Sequence, residues 1–132
     1  MIDSVPPVSA NKLISEFRHG EMVLLVLDQS DGEQTAVVAM AAEYCEADHV
    51  TFMARQARGL VSLALTEERC EQLNLPPMVD PATSGAVKLS IEASTGIDTG
   101  ISAADRARTV RVAVAPDAKP SDLVPVSYTH LR

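Results

Sequence analysis

A chain of 132 residues, 46% of them apolar, can bury one hydrophobic core, which excludes a disordered chain and makes a single domain the expectation. Its 18 acidic against 11 basic residues leave a net charge of −7, which argues against a nucleic-acid groove or an anionic membrane surface as partner. Aromatic residues make up only 3%, with no Trp, so the core has to be built from Val, Leu, Ile, Ala and Met.

In chain order, Met1 to Ala10 lacks a basic stretch followed by an apolar one, so no signal peptide is expected. Ser9 caps a short helix carrying Leu13, Ile14 and Phe17, with Gly20 as its stop. Met22–Leu27 does not alternate and reads as a strand buried on both faces. Asp28–Thr35 is polar, holds Gly32 and reads as a loop; Ala36–Ala42, with its Val-Val centre, reads as a second strand. Both apolar runs are far shorter than the roughly 20 residues a membrane helix needs. From Ala47 the pattern is helical, with Val50, Met53 and Ala54 on one face and Gly59 as the end.

Leu60–Leu65 reads as a third strand, and Thr66 caps a short helix through Glu67 and Glu68 that Pro76 and Pro77 prevent from continuing. Asp80–Gly85 is a loop. Val87–Ile91 is the cleanest strand, with Val87, Leu89 and Ile91 facing the core and Lys88, Ser90 and Glu92 facing away. Ser102 with Asp105 forms a capping-box-like start to a helix over 103–113 that aligns Ala103, Ala107, Val110 and Val114. The interleaving predicts an α/β class chain, an α+β sandwich. Its mixed sheet takes in Met22–Leu27, Leu60–Leu65 and Val87–Ile91, with helices near 47–57 and 103–113 packed on it. The final heptad Val126–Arg132 fits no element and resembles a translated sequencing-adapter scar. The expected organisation is a partial domain over 1–124 and a non-native tail over 125–132.

Cys45 and Cys70 are too few and too far apart for a disulfide framework or a zinc site, and read as small buried hydrophobes in a reducing cytoplasm. His19, His49 and His130 fall in different elements and read as surface or capping residues. No nucleophile elbow, phosphate-cradling glycine loop or histidine pair at ligand spacing occurs.

Three stretches go further. They are Glu67-Glu68-Arg69-Cys70-Glu71-Gln72-Leu73-Asn74-Leu75-Pro76-Pro77-Met78-Val79 after Arg58-Gly59-Leu60, Thr99-Gly100-Ile101-Ser102-Ala103-Ala104-Asp105-Arg106-Ala107, and Ala118-Lys119-Pro120-Ser121-Asp122-Leu123. In that order and spacing they resemble the 3,4-dihydroxy-2-butanone 4-phosphate synthases of riboflavin biosynthesis, over about residues 11–124. The resemblance implies a lyase that converts D-ribulose 5-phosphate to a four-carbon phosphate plus formate. It also implies Mg²⁺ or Mn²⁺ as cofactor and a homodimer. Enolisation beside a carbonyl suits a divalent ion that polarises adjacent oxygens and carboxylates that carry protons.

The first catalytic loop of that family reads Asp-Asp-Glu-Asp-Arg-Glu-Asn-Glu-Gly-Asp, where this chain has Asp28-Gln29-Ser30-Asp31-Gly32-Glu33-Gln34-Thr35-Ala36-Val37. By resemblance, Glu33 is the metal ligand, Asp31 and Glu33 are the catalytic acids, and Asp28, Arg58, Thr99 and Asp105 meet the sugar phosphate. Each has a bland counterpart: acids in a polar loop are usually solvated, Asp105 suits a helix cap, and Arg58 precedes a glycine turn. Gly32 stands in place of an Arg, Thr35 of a Glu, Ala36 of a Gly and Val37 of an Asp. Ser62 stands at a thiol position and Arg108 at a Thr. The Pro-Gly-His and Gly-Gly-His-Thr-Glu segments of the family have no counterpart here. The expectation is a truncated synthase-like domain with a degenerate first loop, inactive or very weak. The rival expectation is a non-catalytic paralogue that dimerises or senses a ligand.

Overall fold

The computed structural model describes residues 6–77 and 88–126, so the expected loop at 80–85, Val87 and the tail from Ser127 lie outside the described residues. Helix α1 (Ala10–Arg18) is capped by Ser9, whose hydroxyl accepts from Lys12 N–H. Gly20 ends it in the left-handed region at φ 84°. A side chain there would also strike the Tyr44 ring, 2.8 Å from the position of a Cβ. The chain then forms a hairpin of β1 (Val23–Asp28) and β2 (Gln34–Ala39), antiparallel from Val23↔Ala39 to Asp28↔Gln34.

A 3₁₀ turn at Ala42–Tyr44 leads into α2 (Ala47–Phe52), which widens into a π turn over Met53–Ala57. The left-handed residue that stops it is Arg58, at φ 55°, one residue before the expected Gly59. Thr66 caps α3 (Glu67–Gln72) by accepting from Arg69 N–H. Before either proline, Asn74 at φ 52° ends α3 in a Schellman turn, with Leu75 N–H donating to Cys70 C=O at 2.9 Å. Then follow β3 (Ser90–Ala93), α4 (Ala103–Val114), a 3₁₀ turn at Pro120–Asp122 and β4 (Leu123–Val126), which pairs antiparallel with β3. Pro125 and Val126, placed by sequence in the tail, are thus the last two residues of that ladder.

The expected mixture of helices and sheet is present, but the pairing is different. Among the described residues there are two separate two-stranded sheets, both antiparallel, rather than one mixed sheet. Leu60–Leu65 is not a strand. Its alternation is real, since Val61, Leu63 and Leu65 are half-buried while Ser62 and Ala64 are exposed, and Leu63 and Leu65 pack on the core. The segment lacks a ladder partner among the described residues, and alternation specifies a face without supplying a partner. Nor is β1 buried on both faces. Leu24 (48% exposed) and Val26 lie on one face, and Leu27 (53%) and Val37 on the other.

Helix α4 joins two apolar clusters. Ala107 packs with Cys45 and Val50, supported by Met40, Ala103 and Val110. Ala113 packs with Cys70, Leu73, Leu75 and Leu123, against which Ile91 and Val112 also rest. Both cysteines are buried and free, as small hydrophobes. His49 Nδ1 accepts from Glu46 N–H at the start of α2, and His19 Nδ1 lies 2.7 Å from Ser15 C=O at the end of α1, so both histidines serve helix ends.

Two outcomes follow for stability and association. Leu73, 2% exposed at the centre of its cluster, is expected to cost about 2–5 kcal/mol on truncation to Ala, read from urea unfolding. Leu60→Ala, at a site 93% exposed, is expected to stay within about 0.5 kcal/mol. The hairpin, apolar on both faces, is expected to drive concentration-dependent self-association in light scattering. A stable monomer at high concentration would count against that reading.

Candidate active site

Five of the six sequence-predicted site residues fall into two separate places. Asp28, Asp31 and Glu33 belong to the tip of the β1–β2 hairpin; Thr99 and Asp105 belong to the loop and first turn of α4. Arg58 stands apart as the left-handed cap of the π turn, exposed, and does not line the clefts described below.

The hairpin tip is a closed, fully exposed turn. Gln29 N–H donates to Glu33 C=O at 2.8 Å and Gly32 N–H to Gln29 C=O at 3.0 Å. Gly32 sits at φ 87°, where an L side chain is strained, although open space surrounds it. Asp31 Oδ1 accepts from Glu33 N–H at 3.0 Å, Asp28 Oδ1 accepts from Gln34 Nε2 at 2.9 Å, and Gln29 Nε2 donates to Thr35 Oγ1. Ala36 and Val37 are ordinary ladder residues opposite Val26 and Leu25.

Glu33 and Asp31 are thus two carboxylates on one turn, and Asp31 is already partly engaged. A hard divalent cation takes about six oxygens, so this donor set does not hold one by itself. Among the described residues no three of His, Cys, Asp and Glu gather at ligand spacing.

Around Asp105 the geometry is far more organised. Its carboxylate is buried (7% exposed) and accepts from the N–H groups of Asp98, Thr99 and Gly100 at 3.3, 3.0 and 3.0 Å, and from Thr99 Oγ1 at 3.2 Å. Ser102 caps α4 as expected, its hydroxyl accepting from Asp105 N–H. The other half of a capping box is missing. Ser102 N–H goes to Thr99 Oγ1, because the Asp105 carboxylate turns away to gather the loop amides. Gly100 has to be glycine there, with φ 74° and the Glu92 carboxylate where a Cβ would stand. One turn on, the buried Thr109 hydroxyl donates to Asp105 C=O and accepts from Ala93 N–H, both at 3.0 Å, joining α4 to β3.

Two clefts flank α4. One of about 220 Å³ is lined by Ser94, Thr95, Arg108, Asp117 and Asp122, with Arg108 Nε donating to Thr95 C=O at 2.7 Å. The other, about 350 Å³, lies between α2 and the start of α4 and carries Arg55 and Arg106. Sequence reading missed both arginines. The helical period places Arg55 four residues after Thr51, but nothing local says that Arg106 faces it.

Burial would raise the pKa of Asp105, but the hydrogen bonds from Ser102 and the Thr99, Asp98 and Gly100 amides outweigh it and hold the carboxyl below the ordinary 3.8. A depressed pKa means stability that is present above the unfolded value and lost as pH falls through the folded one. Asp105→Asn is therefore expected to lower the urea midpoint at pH 7, with the gap to the parent closing below about pH 4. An equal gap at pH 7 and pH 3 would show that the charge is not what matters.

Comparison with known proteins places this geometry. The family model for 3,4-dihydroxy-2-butanone 4-phosphate synthase matches residues 11–125. A protein of that name from Pseudomonas syringae is 52% identical over 115 residues, 85% of this chain and 31% of its own length. Another from Shewanella loihica is 42% identical over 124 residues, covering 92% of this chain and 56% of its own. Among solved structures, a two-domain synthase from A. baumannii superposes with a TM-score of 0.77 at 44% identity, covering 90% of this chain and 35% of that one. A synthase in complex with two magnesium ions superposes with a TM-score of 0.81 at 36% identity, covering 90% of this chain and 56% of that one. The chain thus spans between about a third and a little over half of these relatives. With 90% of the chain superposing on a solved synthase and the family match running through nearly all the described residues, the chain belongs to the 3,4-dihydroxy-2-butanone 4-phosphate synthase family.

Proposed function

We propose that this chain is a sugar-phosphate lyase domain of its family whose 132 residues, taken alone, are inactive or very weak in releasing formate from D-ribulose 5-phosphate. The observation that carries the reading is the hairpin register. Thr35, Ala36 and Val37 stand where the resemblance puts Glu, Gly and Asp, and all three are plain ladder residues of β2. Valine can neither carry a proton nor bind a hydroxyl, and Gly32 offers no guanidinium. Losing one acid–base group costs about 10²–10⁴ in rate, and here more than one is gone.

The substrate class and the magnesium or manganese requirement come from the relatives, one of which is a synthase in complex with two magnesium ions. Asp31 and Glu33 alone do not hold such an ion. Homodimer formation is part of the same reading, supported by the apolar hairpin faces. A cytoplasmic setting fits two free, buried cysteines. No helix among the described residues is long and apolar enough to cross a membrane.

Formate release measured with Mg²⁺ and with Mn²⁺ tests the reading, beside a chimera that carries the family loop at 29–37 and a complete C-terminal third. This chain is expected to match the no-enzyme control, and the chimera to turn over. Activity in this chain that disappears in Glu33→Ala would overturn the proposal. Metal-independent dimerisation with no ribulose 5-phosphate binding would favour the non-catalytic paralogue.

A further inference from the structure

The chain carries a net charge of −7, yet the 350 Å³ cleft between α2 and α4 is lined by two arginines and not one acid. Neither the Arg55 nor the Arg106 guanidinium has a hydrogen-bond or ion-pair partner among the described residues. Of the nearby acids, Asp48 on α2 is exposed and does not line the cleft, and two others are committed elsewhere. Asp105 faces the amides of 98–100, and Glu46 pairs with Arg111. Arg106 also sits in the first turn of α4, where the helix end is itself positive and a lone cation is disfavoured. Both side chains are exposed, and among the described residues no acid lining the cleft answers them.

Two features shape the cleft. The π turn, closed by Arg58 N–H on Met53 C=O at 3.2 Å, adds a residue to the winding and keeps Arg55 on the side of Thr51. Thr51 Oγ1 already donates to Ala47 C=O at 2.9 Å, so toward the cleft it can only accept. Val50, Ala54, Ile101 and Ala103 supply an apolar lining between these polar groups. The size falls within the range of small-ligand pockets.

We propose that this cleft is an anion site taking the phosphate of a small phosphomonoester, held by the Arg55 and Arg106 guanidinium forks, with a hydroxyl of the ligand donating to Thr51 Oγ1. Planar forks match phosphate oxygens in pairs, which a lysine ammonium does not. The site is separate from the 28–37 hairpin tip and needs no metal, so it stands or falls independently of formate release.

The test is a titration of the whole chain with inorganic phosphate at fixed ionic strength, followed by NMR at the Thr51, Ala54 and Arg106 amides and the Arg55 and Arg106 Nε–H signals. Saturable shifts at these groups are expected. Arg55→Ala and Arg106→Ala should each weaken binding about tenfold, while Arg18→Ala, on α1, should leave it unchanged. The double change Arg55→Lys with Arg106→Lys keeps stems and charge, guards against a folding artefact, and should still weaken binding by losing the forks. Thr51→Val should spare inorganic phosphate and weaken glycerol 3-phosphate. Shifts reproduced by chloride alone, saturation at other residues, or affinity unchanged in the lysine pair would overturn the proposal.

Discussion

Helix α4 is the member on which the rest of this chain is hung, and it works because its contact residues are small. Ala107 (1% exposed) and Ala113 (0%) let two different apolar clusters close against one twelve-residue helix. A larger side chain at either position would have to displace a neighbour, at a cost of about 1–3 kcal/mol. Both ends of the helix are tied down. At the N-terminus Ser102 and the Asp105 loop hold it. At the C-terminus the Arg69 guanidinium reaches across 44 residues to donate to Ala113 C=O at 3.1 and 3.0 Å, and also contacts Ala115 C=O. A cation at the carboxyl end of a helix meets both its unpaired carbonyls and its negative pole.

The hairpin β1–β2 is the opposite case. None of its residues is buried, and its tip touches no cluster of the core. Residues 28–37 therefore contribute little to the stability of what surrounds α4, and their types can change without unfolding it. That separation lets the residue types of the hairpin tip vary while the fold around α4 is kept.

Thr99 and Asp105 combine the two concerns. The family resemblance marks them as expected substrate-handling positions, and they hold the 98–100 loop through a buried, hydrogen-bonded carboxylate. A network of that kind fixes the direction in which the loop presents its remaining groups. Its own oxygens are largely spent on the amides, so its direct contribution is positioning. The neighbouring arginines are left to face the α2–α4 cleft.

What the sequence determined by itself was local. Ser9, Thr66 and Ser102 start their helices where the pattern places them, Gly20 ends α1, and 103–114 forms the long helix, because caps and turns are settled by groups within about five residues of each other. The family was legible too, since motif order and spacing survive in the chain. Only the tertiary structure decided the rest. It left Leu60–Leu65 without a ladder partner among the described residues, exposed both faces of β1, turned the Asp105 carboxylate away from its own helix cap, and set Arg69 on the far end of α4. It also brought Arg55 and Arg106 to one cleft across about fifty residues of chain. The Asp105 loop aside, each of these depends on a partner distant in sequence, and periodicity specifies which face of an element is apolar without naming what will meet it.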